Sequence, residues 1–144
     1  MSDEKPRVGL GIIIENDKSQ ILVMKREGKH APYWSIPGGK LELGEAFEDG
    51  AARELKEELD IGVKNSQVIA VTNNLKTYEA EGIHFISIIL VVKAYKGEPK
   101  IMEPDRCTEV RWVDPHSLPQ PHFDASELGV QCYLQHVPYV SKLV

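Results

Sequence analysis

Cysteine is scarce in this chain: Cys107 and Cys132 are the only two in 144 residues, far apart and without metal-ligand spacing. Neither a disulfide framework nor a zinc site is expected, and both read as buried or free thiols. A long apolar run is also missing. The longest, residues 85–92, is interrupted by Ser87 and falls short of the ~18 residues that a membrane span requires. Residues 1–6 are charged and carry no apolar signal segment, so a cytoplasmic location is the default expectation. Positive charge is in deficit: 17 Lys and Arg stand against 22 Asp and Glu, a net charge of −5. That balance argues against broad electrostatic binding to a nucleic-acid polymer. No low-complexity tract, linker or repeat is present, and 42% apolar with 27% charged residues is ordinary for a globular chain. One domain over residues 1–144, with one core, is expected at this length.

The acidic excess is concentrated in one place. Residues 39–61 hold eight acids and three bases, a local net of −5, while the rest of the chain balances. Such crowding marks either a solvated face or a place where something positive binds. Phe47, Ala51, Leu55 and Leu59 recur every fourth residue, with Glu48 and Asp49 at the positive end, so the spacing predicts one long helix over residues 46–59. On it Glu54, Glu57 and Glu58 fall at i, i+3 and i+4, which puts three carboxylates on one face. Gly50 stands one turn earlier and leaves space. Like charges at this spacing cost only ~0.2–0.5 kcal/mol per pair in isolated helices, too little to forbid the arrangement. Mg²⁺ or Mn²⁺ explains it better, because hard cations take carboxylate oxygens together with substrate phosphates and retained waters.

Around this helix the pattern is mostly extended. Val8, Leu10, Ile12 and Ile14 alternate, residues 16–19 supply turn chemistry, and residues 21–24 are apolar, which predicts a strand pair. A short extended piece, residues 33–36, runs into Pro37-Gly38-Gly39, where a turn is expected. Residues 67–72, 83–95 and 108–113 read as strands. The second of these is apolar and β-branched enough to be covered on both faces, at the sheet centre. Glu79 and Glu81 straddle an expected loop before it. Asp124 with Glu127 offers a capping box for a last helix ending near Leu134. Asn73 and Asn74 follow a strand and suit either turn hydrogen bonds or the reading of a base edge. His84 reads as a satisfied interior residue, Trp34 and Trp112 as packing, and the final helix or an exposed strand leaves room for a homodimer.

The acidic helix also carries a fixed pattern: Gly39, five residues, Glu45, seven residues, Arg53-Glu54-Leu55, one residue, Glu57-Glu58. This resembles the Nudix box, here residues 39–61. Even six of these seven letters, at about one in fifteen each, arise by chance roughly once in ten million windows. Flanking segments add to the resemblance, which covers residues 7 to 119: residues 21–26, residues 34–39, and Glu109-Val110-Arg111-Trp112 with Leu118-Pro119. Asp60 departs from it, standing where the family pattern has glycine, so Gly62 is expected to serve the helix exit instead.

The resemblance implies an α/β (α+β) fold, a mixed sheet sandwiched between helices, and hydrolysis of a nucleoside diphosphate linked to another moiety with Mg²⁺ or Mn²⁺. It implies that Glu54, Glu57 and Glu58 bind metal with the Gly38 carbonyl, and that Arg53 pairs with box carboxylates such as Glu45. Glu54, then Glu103, are candidates for the general base. Arg26, which is similar to a phosphate-contacting arginine of MutT-type enzymes, is placed at the substrate with His30 and Gly39. An aromatic of the residue 28–34 segment is placed to stack a base. A small single domain is similar to the MutT-type nucleoside triphosphate pyrophosphohydrolases, which release a nucleoside monophosphate and pyrophosphate. Residues 103–112 and the Lys29-His30 loop are similar to the branch handling modified or pyrimidine deoxynucleotides. The competing readings are an ADP-ribose or nucleotide-sugar pyrophosphatase and a nucleotide-sensing module that binds without cleaving.

Overall fold

In chain order the elements are β1 (Arg7–Ile14), β2 (Ile21–Arg26), β3 (Trp34–Ser35), β4 (Gly38–Lys40), α1 (Phe47–Leu59), β5 (Gly62–Asn73), α2 (Leu75–Glu81), β6 (Phe85–Lys96), β7 (Cys107–Val113) and α3 (Asp124–Gln135). A single 3-10 turn occupies Gly28–His30. The computed structural model describes residues 4–143. Its mixed four-stranded sheet has the order β4-β1-β6-β5, and a second sheet has the order β3-β2-β7. β1 and β6 are parallel; the other pairs are antiparallel.

Side-chain alternation explains the layers. Leu10, Ile12 and Ile14 of β1, with Leu90 and Val92 of β6, point into one core against Ala51, Leu55 and Leu59 of α1. Ile13, Ile89 and Val91 point the other way, against Val130 and Cys132 of α3. The near-continuous apolar sequence of β6 follows from this double coverage, and each such buried side chain is worth about 1.5–3 kcal/mol. Helices therefore lie on both faces of the sheets, as expected. Among the described residues no helix is long and apolar enough to cross a membrane, and both cysteines are buried and free.

Several expectations need correction. β1 and β2 do not form a hairpin; a lone bridge joins Glu15 to Ile21. Asn16 accepts backbone N–H bonds from Lys18 and Gln20, and Ser19 adopts φ 59°, so the connection sends β2 into the second sheet. Gly38 and Gly39 lie in an extended strand rather than a turn. The helix exit is formed by Asp60 itself, at φ 56° and ψ 35°, with its carboxylate 2.7 Å from Lys56 Nζ; Gly62 opens β5. Phe47 remains 36% exposed and does not extend the buried stripe. Gly50 gives its space to Leu10 and Glu45, whose atoms a Cβ there would meet at 2.6 and 2.8 Å. The loop expected around Glu79 and Glu81 is helix α2, closed by Gly82 at φ 75°. No capping box opens α3: Phe123 is its N-cap, and Asp124 instead accepts the Thr77 hydroxyl of α2 at 2.6 Å.

Candidate active site

Two adjacent glycines bring the sheet edge against the acidic helix. A Cβ on Gly39 would lie 2.4 Å from the Glu54 carboxylate, and one on Gly38 would lie 2.0 Å from the Leu10 carbonyl oxygen. Close approach, not backbone freedom, is what these glycines provide. The Gly38 N–H donates to Glu58 Oε1 at 3.2 Å, so β4 and α1 are joined through the site itself.

Arg53 organises the carboxylates. Its Nε and Nη2 donate to the two oxygens of Glu45 at 2.8 and 3.0 Å, its Nη1 to Glu54 Oε1 at 2.9 Å, and its Nη2 also to the Lys40 carbonyl at 3.0 Å. The fork geometry of the guanidinium suits this multiple engagement. Glu57, more exposed, lies 3.5 Å from Arg53 Nη1. Hydrogen bonds from Arg53 hold the Glu45 carboxyl down at about 2, and Glu45 in turn pushes Arg53 up.

The other two acids behave in the opposite way. Burial pushes Glu54 up despite Arg53. Burial, with the neighbouring charge of Glu54, pushes Glu58 up to about 8, against the opposing influence of Arg26 and the Gly38 N–H. Glu103 lies in the loop after β6 and adds negative charge to both; the Met102 N–H of that loop donates to the Glu58 carbonyl at 3.1 Å. A pair of partly buried carboxylates whose ionisation burial still opposes, despite Arg53 and Arg26, is chemically suited to a hard divalent ion. Among the described residues, however, no three His, Cys, Asp or Glu side chains stand together as a ready-made metal cage. Glu54 and Glu57 are drawn to Arg53, and Glu58 to the Gly38 N–H, so the three carboxylates suit a hard cation by chemistry and share a helix face without converging.

Beside β4 opens a cavity of about 380 Å³. Arg26, His30, Gly38 and Gly39 all line it, together with Arg7 and Lys40. The α1 carboxylates stand behind the glycine strand rather than in the cavity wall. Arg26 bridges the two, since it lines the cavity and its charge is felt by Glu58. His30 is engaged with Glu81 of α2 at 3.2 Å and packs edge-on against Phe123, 5.0 Å between ring centres. Lys29 reaches the same Glu81 at 3.3 Å. Asn73 bonds to His84, whereas Asn74 is buried at the cavity. Trp34 is buried, with the Arg111 guanidinium 4.6 Å above its ring, and Trp112 stacks on Tyr95; both serve packing.

Residue-by-residue reading missed Ser87 and Phe123, and set Glu81 in a loop without its partner His30. The signal for Ser87 was present, a hydroxyl interrupting a strand buried on both faces. For Glu81 and Phe123 nothing local distinguishes them, because α2 and α3 meet the 3-10 turn only in three dimensions.

The NUDIX domain family matches residues 5–130. A Bacillus subtilis protein named "Putative 8-oxo-dGTP diphosphatase" is 32% identical over 111 residues, which is 77% of this chain and 68% of that one. An ADP-ribose pyrophosphatase of Methanocaldococcus jannaschii is 29% identical over 123 residues, 85% of this chain and 70% of the relative. Among solved structures, a MutT NUDIX hydrolase from Burkholderia pseudomallei superposes with a TM-score of 0.81 at 34% identity, covering 89% of this chain and 98% of its own.

Proposed function

This chain belongs to the Nudix family of hydrolases, and from that premise we propose that it cleaves nucleoside triphosphates to a monophosphate and pyrophosphate. The observation that carries the reading is the placement of Glu54 and Glu58 behind a two-glycine strand whose other side opens, beside Arg26, into a cavity of nucleotide dimensions. Glu54, Glu57, Glu58 and the Gly38 carbonyl would hold Mg²⁺. When bound, the ion screens the phosphate oxygens, stabilises the leaving phosphate and acidifies a coordinated water.

The chain's own groups supply the rest. Arg53 fixes Glu54 through Oε1 and leaves Oε2 as the first candidate to take the water's proton, with Glu103 as the second. Arg26 and His30, at the cavity wall, orient the phosphate tail, and Gly39 lets it approach the helix. Water then adds to the β-phosphorus, and the bond from that atom to the oxygen bridging to the α-phosphate breaks. The similarity to the Burkholderia and Bacillus proteins supports the triphosphate reading; the archaeal relative keeps ADP-ribose as its competitor.

The test is direct. The pure protein with Mg²⁺ is given canonical and oxidised nucleoside triphosphates and ADP-ribose, and the products are resolved by chromatography. Monophosphate plus pyrophosphate supports the proposal. Ribose phosphate with AMP transfers it to the sugar branch, and retention without products identifies a sensor.

A further inference from the structure

The cavity floor carries polar side chains that phosphate chemistry leaves unused. Asn74 and Ser87 line it and are only 2% and 8% exposed. Thr72, fully buried, is the cross-strand partner of Ser87. Its hydroxyl donates to Asn74 Oδ1 at 2.8 Å, and Asn74 Nδ2 donates to Ser87 Oγ at 2.9 Å. This short chain has a direction. Thr72 turns the amide oxygen away from Ser87, and Ser87 receives rather than gives in its bond with Asn74. An amide nitrogen has two hydrogens and a hydroxyl has one. One Asn74 N–H and the Ser87 O–H therefore stay unengaged by this chain, side by side. The nearby wall is apolar, formed by Ile83, Phe85, Ile89 and Phe123, so a ligand that leaves the two donors dry loses binding.

Resting on the nucleotide reading above, we propose that Asn74 and Ser87 select a nucleobase presenting two adjacent acceptors: guanine through O6 and N7, or cytosine through O2 and N3. Adenine places its amino group beside each of the ring acceptors N1 and N7, and thymine places a ring N–H beside each carbonyl, so each satisfies one donor and opposes the other. Asn74 and Ser87 touch the base in this account; Thr72 is a positioning residue that acts through Asn74.

Binding of nucleoside monophosphates tests this without requiring turnover. With Mg²⁺ present, calorimetry on dGMP, 7-deaza-dGMP, dCMP, dAMP and dTMP is expected to show dGMP or dCMP at least ~10-fold tighter than dAMP and dTMP. If guanine is the base, 7-deaza-dGMP falls to the dAMP level, because it lacks the N7 acceptor; if cytosine is, dCMP leads. Ser87→Ala is expected to bring the preferred nucleotide within ~3-fold of dAMP. Thr72→Val, which frees the amide to rotate, lowers the same ratio without lowering dAMP affinity. Equal affinity for dAMP and the other monophosphates overturns the proposal, as does a Ser87→Ala variant that folds and keeps the preference. The two readings fail separately. A base preference without triphosphate cleavage refutes the reaction alone, and equal cleavage of all bases refutes the base selection alone.

Discussion

Glu58→Gln is expected to stabilise the metal-free protein at neutral and alkaline pH, although it removes a proposed ligand. The Glu58 carboxyl is pushed from an ordinary 4.5 up to about 8 in the folded chain. Between those values the unfolded chain releases the proton and the folded chain keeps it, so stability falls as pH rises, by up to about 1.4 kcal/mol per unit. From about pH 5 to about pH 8 the loss at this one group sums to roughly 3 kcal/mol. Glutamine cannot ionise and can still accept the Gly38 N–H, so the variant escapes the loss. Urea unfolding in EDTA, run on both proteins across this range, gives the difference directly. Other titrating groups, such as buried His122, whose protonation is opposed by burial, are common to both proteins and largely cancel. Excess Mg²⁺ should then reverse the order, since an ion at about a thousand times its dissociation constant adds about 4.1 kcal/mol to the protein that binds it. Parallel pH profiles for the two proteins in EDTA would refute the claim that Glu58 is held in an unfavourable site.

Other substitutions probe the remaining parts. Gly38→Ala forces a Cβ onto the Leu10 backbone oxygen and is expected to destabilise by ~1–3 kcal/mol or more in chemical denaturation. Gly39→Ala meets only the end of the Glu54 side chain; it is expected to fold with a smaller stability loss but to weaken Mg²⁺ binding in titration calorimetry. Arg53→Met leaves Glu45 and Glu54 without their shared partner and is expected to lower the melting temperature, with Arg53→Lys recovering only part because the fork is lost. Glu57→Gln is expected to reduce turnover by orders of magnitude at saturating substrate while leaving the melting temperature near its original value, since Glu57 is exposed; near-normal turnover would remove it from the ligand set.

The acidic box was legible because it is local. Helical geometry alone puts Glu54, Glu57 and Glu58 on one face, and the spacing to Gly39, Glu45 and Arg53 could be counted without knowing the fold. The same holds for β6, whose apolar continuity announced burial on both sides, and for the reach of Arg53 toward Glu45, observed as a two-pronged bond. The hairpin expected from residues 8–24 failed for a nonlocal reason. β1 finds its partners in β4 and β6, the latter some seventy residues later in the chain. Asp60 shows a limit on a smaller scale: it takes the left-handed position expected of a glycine, its N–H returning to the Leu55 and Lys56 carbonyls and its carboxylate meeting Lys56.

From the sequence alone came the acidic face, its glycine and arginine companions, the layered fold class and the absence of a long apolar span. Tertiary structure decided what those groups face. It set Gly39 against Glu54, raised Glu58 by burying it, and gathered Arg26, His30, Glu81, Asn74 and Ser87 from five separate segments around one cavity. The physical reason is one of range. Helix and strand periodicities act over a few residues, whereas desolvation and cavity shape depend on which distant surfaces exclude water together.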